Sequence, residues 1–316
     1  MRSWVTKILI EPKTKIAYGV EFVKNRRKYK IRATKEVILS AGAIASPQLM
    51  MLSGVGPRKH LERHGIPVIQ DLKVGYNLQD HLGASGLVFL VNQSITITES
   101  KVANPRNLVD FWLFGQGPFT SPGGAEGLAF LKVNNSKLGN FPGNLASPST
   151  ASPSHLISAK NYPDIEVVLG AGALSGDISG TMRNMLGIPN KFFQTVFKDV
   201  MGHEAFALMP IILQPRSRGR ISLKSTNPFH WPRMQPNYLQ DPYDLETLLE
   251  GVKLAVRIGE MNGFRKYGSH LHKRPFVGCE HLSFGSDDYW RCCIQGYSSS
   301  LQHQVSNLWS IRVPDD

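Results

Sequence analysis

Glu36-Val37-Ile38-Leu39-Ser40-Ala41-Gly42 runs directly into Ala43-Ile44-Ala45-Ser46-Pro47-Gln48-Leu49-Met50-Met51-Leu52-Ser53-Gly54-Val55-Gly56. Small and apolar residues follow Val37 without alternation, which predicts a strand buried on both faces, as in a parallel sheet. Gly42 ends it. Ser46 is a good N-cap, and Pro47 suits a first helical position, where its missing N–H would be unpaired anyway. A short helix is therefore expected over Gln48–Leu52, stopped by Gly54 and Gly56. Such a strand–glycine–helix unit brings backbone N–H groups and a positive helix end to the carboxyl edge of a sheet, where open α/β folds bind ligands. An ordinary strand–turn–helix connection has the same form, so the unit alone leaves both readings open. Gly54-Val55-Gly56 does not complete a phosphate-binding Gly-x-Gly-x-x-Gly: Lys59 stands where the third glycine belongs, and a helix precedes it.

Toward the N-terminus, Val5, Lys7–Ile10, Tyr18–Val23 and Lys28–Ala33 carry β-branched or aromatic residues at near-alternate positions, with turn signals at Pro12-Lys13 and Asn25. Downstream, a helix from about Arg58 to His64 ends at Gly65, and Val74-Gly75-Tyr76-Asn77-Leu78-Gln79-Asp80-His81 reads as a loop. Residues 134–158 are rich in Ser, Pro, Asn and Gly and read as a surface insertion. Strands are expected at Asp164–Leu169, Phe206–Leu213 and Arg220–Lys224. The clearest helix is Tyr243–Glu260, capped by Asp241, with Leu245, Leu248, Leu249, Val252 and Val256 on one core-facing stripe.

A chain of 316 residues is long enough for two domains. Hydrophobic residues make up 41% and charged ones 19%, an ordinary globular balance, and no window is long and apolar enough for a membrane span. No secretory signal follows Met1. The net charge of +12 is spread along the chain. Its one dense cluster, Lys24-Asn25-Arg26-Arg27-Lys28, fits a solvated hairpin tip, and no nucleic-acid motif accompanies it. Cys279, Cys292 and Cys293 lack the spacing of a zinc site. In a secreted parent they would form one bridge, from Cys279 to either member of the pair. Two sequons begin at Asn92 and Asn134. His60 and His64 lie four apart with no third ligand nearby, which reads as a solvated helix face rather than a metal pair. His270 and His272 read as surface residues. Neither a Gly-x-Ser-x-Gly elbow nor a paired-carboxylate motif supports a hydrolase.

Gly42 to Gly56 closely resembles the second signature of the glucose–methanol–choline (GMC) family of oxidoreductases, and Lys35–Ala41 is similar to the strand before it. Val74–His81 looks like the family's Asn-Leu-Gln-Asp-His loop. Pro215-Arg216-Ser217-Arg218-Gly219-Arg220-Ile221-Ser222-Leu223 resembles the start of its C-terminal region. The stretch Gly117-Pro118-Phe119-Thr120-Ser121-Pro122-Gly123-Gly124-Ala125-Glu126-Gly127 looks most like insect glucose-dehydrogenase-type members.

The resemblance implies a fold that is α/β and α+β: a partial FAD-binding Rossmann-type domain plus a substrate domain with an antiparallel sheet and flanking helices. It divides the chain into 1–85, 86–213, 214–306 and a divergent tail, 307–316. It implies FAD as cofactor, an alcohol or sugar oxidised at a CH–OH group, and a quinone-type or other acceptor that is not nicotinamide. Val5 falls where family members use a backbone contact to the adenine end of FAD. The 42–56 signature is implied to be largely scaffold. His303, in Leu301-Gln302-His303-Gln304-Val305-Ser306, aligns with the His of the family's His-Pro-Val-Gly-Thr motif, the catalytic base. An imidazole with an ordinary pKa of roughly 6.5 can take a hydroxyl proton near neutrality.

The departures are as informative. Gln304 replaces the usual Pro and Ser306 the usual Gly. The resemblance lapses after Ser306, before the second active-site His or Asn, and the Gly-rich β-α-β unit is missing at the front. A chain incomplete at both ends, binding FAD poorly by itself, is the expectation. The alternative is an inactive remnant acting at most as an interaction protein.

Overall fold

The computed structural model describes residues 3–308 apart from 85, 122–123, 134–161, 186–187, 189, 191–192, 195–196, 274 and 277, and in the last helix it describes no side chains at 297 or 299–308. In chain order the elements are β1 (Trp4–Ile10), β2 (Ala17–Lys24), β3 (Arg27–Arg32), α1 (Gly42–Leu52), β4 (Val55–Gly56), α2 (Arg58–Arg63), β5 (Gln70–Asp71), β6 (Tyr76–Leu78) and β7 (Val88–Leu90). There follow α3 (Glu99–Val102), α4 (Pro105–Phe114), β8 (Ala125–Leu131), β9 (Ile165–Gly170), α5 (Thr181–Met185), β10 (Ala205–Ile212), β11 (Gly219–Ser222) and β12 (Arg233–Gln235). The last are α6 (Pro242–Gly259), α7 (Asn262–Arg265), β13 (His270–Leu271) and α8 (Asp287–Leu308). The insertion expected at 134–158 and the second sequon lie outside the described residues. Among the described residues no helix is long and apolar enough to cross a membrane.

Two compact units result. The first joins the residues up to Asp80 with Ser217–Tyr238 and the residues from Leu301 onward; the second takes His81–Arg216 and Leu239–Ser300.

In the first unit, β1-β2-β3 form an antiparallel meander. Asn25 and Arg26, at φ 50° and 60°, supply the left-handed pair that a two-residue hairpin turn needs, so the basic cluster does sit at a hairpin tip. A second antiparallel sheet has β11 between β6 and β12, and β4 pairs with β5 in parallel. Met51, Leu52, Leu61, Ile221, Leu223 and Met234 bury the core between α1, α2 and the second sheet. Ser53 ties β1 to the end of α1: its Oγ accepts from Ile8 N at 2.8 Å and donates to Leu49 O at 2.6 Å.

Two expectations for the opening stretch fail here. Val37–Ala41 is not a strand, and Ile38 is 77% exposed. An apolar run becomes a strand only where a neighbour completes its hydrogen bonds, and no strand pairs with this one among the described residues. The helix also starts earlier than Ser46 and Pro47 suggest. Gly42 adopts φ +86°, and Ser46 Oγ accepts from Ala41 N at 3.1 Å, closing the start one turn upstream. Pro47 thus lies inside α1.

In the second unit, five strands in the order β13-β7-β10-β9-β8 make one antiparallel sheet. Helix α6 covers one face, burying Leu248, Leu249, Val252 and Leu254. Its cap is as expected: Asp241 accepts from Tyr243 N at 2.9 Å, with Pro242 in the first turn. A satellite cluster of Leu174, Phe193, Phe197 and Val200 packs on Val88 and Ala205. Cys279 is bridged to Cys292, and Cys293 is free and buried. That settles which member of the pair forms the bridge.

The residues 301–306, expected to follow a His-Pro-Val-Gly-Thr pattern, are helical, and α8 continues to Leu308. Proline at 304 would remove an N–H and clash one turn back, whereas Gln304 does neither.

Candidate functional site

The first unit brings the Asn-Leu-Gln-Asp-His loop onto the Pro-Arg-Ser-Arg-Gly turn, although Asn77 and Arg218 are 141 residues apart. Gly75 carries φ +83°, and its carbonyl accepts from Ile221 N at 2.6 Å. Asn77 takes φ +68°, and its Oδ1 accepts from Arg218 Nε at 3.0 Å. The Arg220 guanidinium lies 4.5 Å from the Tyr76 ring centroid, within cation–π reach. Tyr238 OH donates to Asp80, and Asn237 Nδ2 donates to Arg218 O at 3.1 Å. The cluster fixes one register between β6 and β11. It holds no nucleophile beside a base.

His60 is not a solvated residue. It is half-buried, and its Nε2 accepts from Leu223 N at 2.9 Å. Burial, then the neighbouring His64, Arg220 and Arg63, hold its pKa below the ordinary value. The neutral ring therefore supplies the lone pair that completes the end of β11. His64 meets it edge-on with ring centroids 4.8 Å apart. Among the described residues no group of three His, Cys, Asp or Glu could hold a metal. His272, expected at the surface, is mostly covered: its side chain is 14% exposed, with Nε2 3.6 Å from Asp199.

Val5 lies on β1, an edge strand of the meander. Edge strands present main-chain groups outward, and Ile8 N–H already uses this to reach Ser53 Oγ. The placement fits a main-chain contact to a ligand. Among the described residues the one parallel pair, β4–β5, leads into α2, where Asp71 Oδ1 already accepts from Arg58 N at 3.0 Å, so a carboxylate occupies that helix start. The side chain of His303 lies outside the described residues; its backbone belongs to α8.

The second unit offers an open sheet face opposite α6. Registers align Leu128 with Val168 and Met209, and Phe130 with Glu166 and Ile211, in two rows across β8, β9 and β10. Leu128 and Phe130 are 57% and 56% exposed. Glu166 is the one charged side chain in these rows, so the face suits the apolar part of a small molecule. Sequence reading missed it. The only signal was a period-2 pattern in Ala125–Leu131, blurred by its glycine and alanines.

Comparison with known proteins agrees with this architecture. The GMC oxidoreductase family models match residues 2–83 and 215–308, together more than half of the chain. The glucose dehydrogenase [FAD, quinone] of Drosophila pseudoobscura pseudoobscura is 30% identical over 309 residues, covering 97% of this chain and 43% of that protein. The alcohol dehydrogenase [acceptor] of Pseudomonas putida is 32% identical over 308 residues, 95% of this chain and 46% of that protein. Among solved structures, an Aspergillus oryzae formate oxidase, whose title concerns FAD modification, superposes with a TM-score of 0.68 at 20% identity, over 93% of this chain and 48% of that one. The chain thus spans less than half the length of these relatives, and the fold is shared with FAD-dependent oxidoreductases.

Proposed function

The chain belongs to the GMC oxidoreductase family, and from that membership we propose that it is part of an FAD-dependent enzyme oxidising a CH–OH group of an alcohol or sugar. Its electrons pass to a quinone-type or other acceptor that is not nicotinamide. The observation that carries this is the interlock of the two family-matching segments. β6, from the first, pairs with β11, from the second, and Asn77 and Arg218 seal the join. A fragment lacking the family architecture would have no reason to bring those segments together.

FAD would supply the hydride acceptor for oxidation at the carbinol carbon. The chain's own contribution on this reading is positional. The edge strand carrying Val5 meets the adenine end, and His303 takes the hydroxyl proton as the carbon is oxidised.

The test joins this chain to the part of the Drosophila relative that it does not match, loads FAD, and adds sugars and primary alcohols without oxygen. The flavin's visible absorption should bleach. A flavin-loaded protein that no CH–OH donor bleaches rejects the activity. In the same protein His303→Ala should slow turnover about 10²–10⁴-fold with flavin content unchanged. Unchanged turnover, in a step shown to limit the rate, removes His303 as the base.

A further inference from the structure

The β2–β3 hairpin gathers the chain's one dense run of positive charge. Four of the six residues of β3, Arg27, Lys28, Lys30 and Arg32, are cations, and all six are exposed. Lys24 and Arg26, also exposed, extend the run round the turn. None of these cations forms a salt bridge among the described residues. Glu21 is the one carboxylate on the two strands, across from Lys30, and it accepts from Thr6 Oγ1 at 3.0 Å.

The run is held in a fixed shape. Asn25 and Arg26 close the turn in the left-handed region, and Tyr29 stacks on Phe22 with ring centroids 5.5 Å apart. Alternation puts Lys28, Lys30 and Arg32 on the face opposite Tyr29 and Ile31, spaced about 7 Å apart along the strand. Such a row suits an extended polyanion, since a single small anion needs donors that converge. Cations on β3, an edge strand, also deter pairing with another chain. That purpose does not account for Lys24 on β2 or Arg26 in the turn, where there is no edge to guard. Burying unpaired cations against a neutral surface is costly, so a partner that covers this hairpin carries negative charge.

The Cys279–Cys292 bridge selects among polyanions. Disulfides persist in secreted and extracellular proteins, whereas acidic lipids line the cytoplasmic leaflet, and no nucleic-acid motif accompanies the cluster. Short Lys/Arg-rich runs also serve as heparin-type patches. We propose that the β2–β3 hairpin binds a sulfated polysaccharide. The interaction needs neither flavin nor turnover, so it stands or falls apart from the oxidation chemistry.

Calorimetric titration of the 316-residue chain with a heparin octasaccharide tests this. Binding should be saturable and should weaken about 20-fold between about 50 and 200 mM salt, the scale for three contacts that release counterions. The triple variant Lys28→Gln, Lys30→Gln, Arg32→Gln should weaken it at least about tenfold. Arg265→Gln, Lys266→Gln, Lys273→Gln removes the same charge from exposed positions of the second unit and should cost less than about threefold. Melting curves show whether each variant is folded; if the first triple variant is not, Lys28→Gln with Lys30→Gln decides. Fully desulfated heparin should not bind, and single-stranded DNA and phosphatidylserine vesicles should bind more weakly than heparin. No saturable heparin binding, equal binding of the desulfated chain, equal losses in the two triple variants, or tighter binding to DNA or vesicles each overturns the proposal.

Discussion

Arg291 grips Glu246 through two parallel hydrogen bonds, Nε to Oε1 and Nη2 to Oε2, both 2.9 Å. The fork fastens α8 onto α6, the helix that covers the five-stranded sheet. The Arg291 hydrogen bonds are the main reason that the Glu246 carboxyl titrates below its ordinary range. Its stabilisation is present at neutral pH and lost as pH falls through that depressed pKa. Both side chains are over a third exposed, which limits its worth to about 1 kcal/mol. Arg291→Ala should lower unfolding stability by that amount in urea. Arg291→Lys should recover less than half, because an ammonium cannot make the fork. Equal stability of the Lys variant and the native chain would show that geometry contributes nothing here.

Glu204 gives a sharper pH signature. Burial alone would raise its pKa, but hydrogen bonds from Lys101, Thr96 and Ser94 outweigh it and hold the carboxyl at about 2, down from 4.5. A depressed pKa stabilises the fold above the unfolded value, and the effect fades as pH falls toward the folded one. Glu204→Gln should therefore cost roughly 2 kcal/mol at neutral pH. The deficit should shrink between about pH 4.5 and pH 2. Urea titrations across that window decide it; a pH-independent deficit would assign the loss to packing.

The cysteines make the third prediction. The Cys279–Cys292 bridge spans a sequence separation of 13, and closing such a loop stabilises by about 3 kcal/mol in the chain-entropy account. The double variant Cys279→Ser, Cys292→Ser should lose about that much. Cys293 should stay silent: burial pushes its thiol up to about 12, leaving almost no thiolate near neutrality. A thiol-reactive dye should label the oxidised native protein nowhere and the denatured protein once. Labelling at native rates matching an exposed thiol would contradict that burial.

Local chemistry made much of this fold legible. Asn25 between two alternating runs announced a hairpin, and Asp241-Pro242 before an apolar stripe announced α6. Legibility failed where distant partners decide the outcome. Val37–Ala41 has strand composition without a strand beside it, and Ser46 has N-cap chemistry yet closes a helix start upstream of itself. Likewise Glu204 meets Lys101 and Thr96 more than a hundred residues away, and nothing near any of the three residues hints at it. The candidate site was legible as motifs, through Asn77 and Arg218, while the open face of Leu128 and Phe130 depends on registers that no local pattern sets.

Gly75 and Gly65 separate two reasons for a glycine. Both adopt positive φ, +83° and +65°, where a side chain costs about 1 kcal/mol of backbone strain. A Cβ on Gly65 would meet nothing within 4 Å, whereas one on Gly75 would stand 2.1 Å from Ile221 O. Gly65→Ala should thus cost only the conformational penalty. Gly75→Ala must also push β11 away from the loop, breaking the Gly75–Ile221 hydrogen bond and loosening Asn77 from Arg218. A loss of about 3 kcal/mol is expected, at the upper end for overpacking, with NMR shifts at Asn77 and Arg218 that Gly65→Ala does not produce. Equal losses for the two variants would mean that the close approach of β11 yields readily, and that the loop's register is set by Asn77 rather than by Gly75.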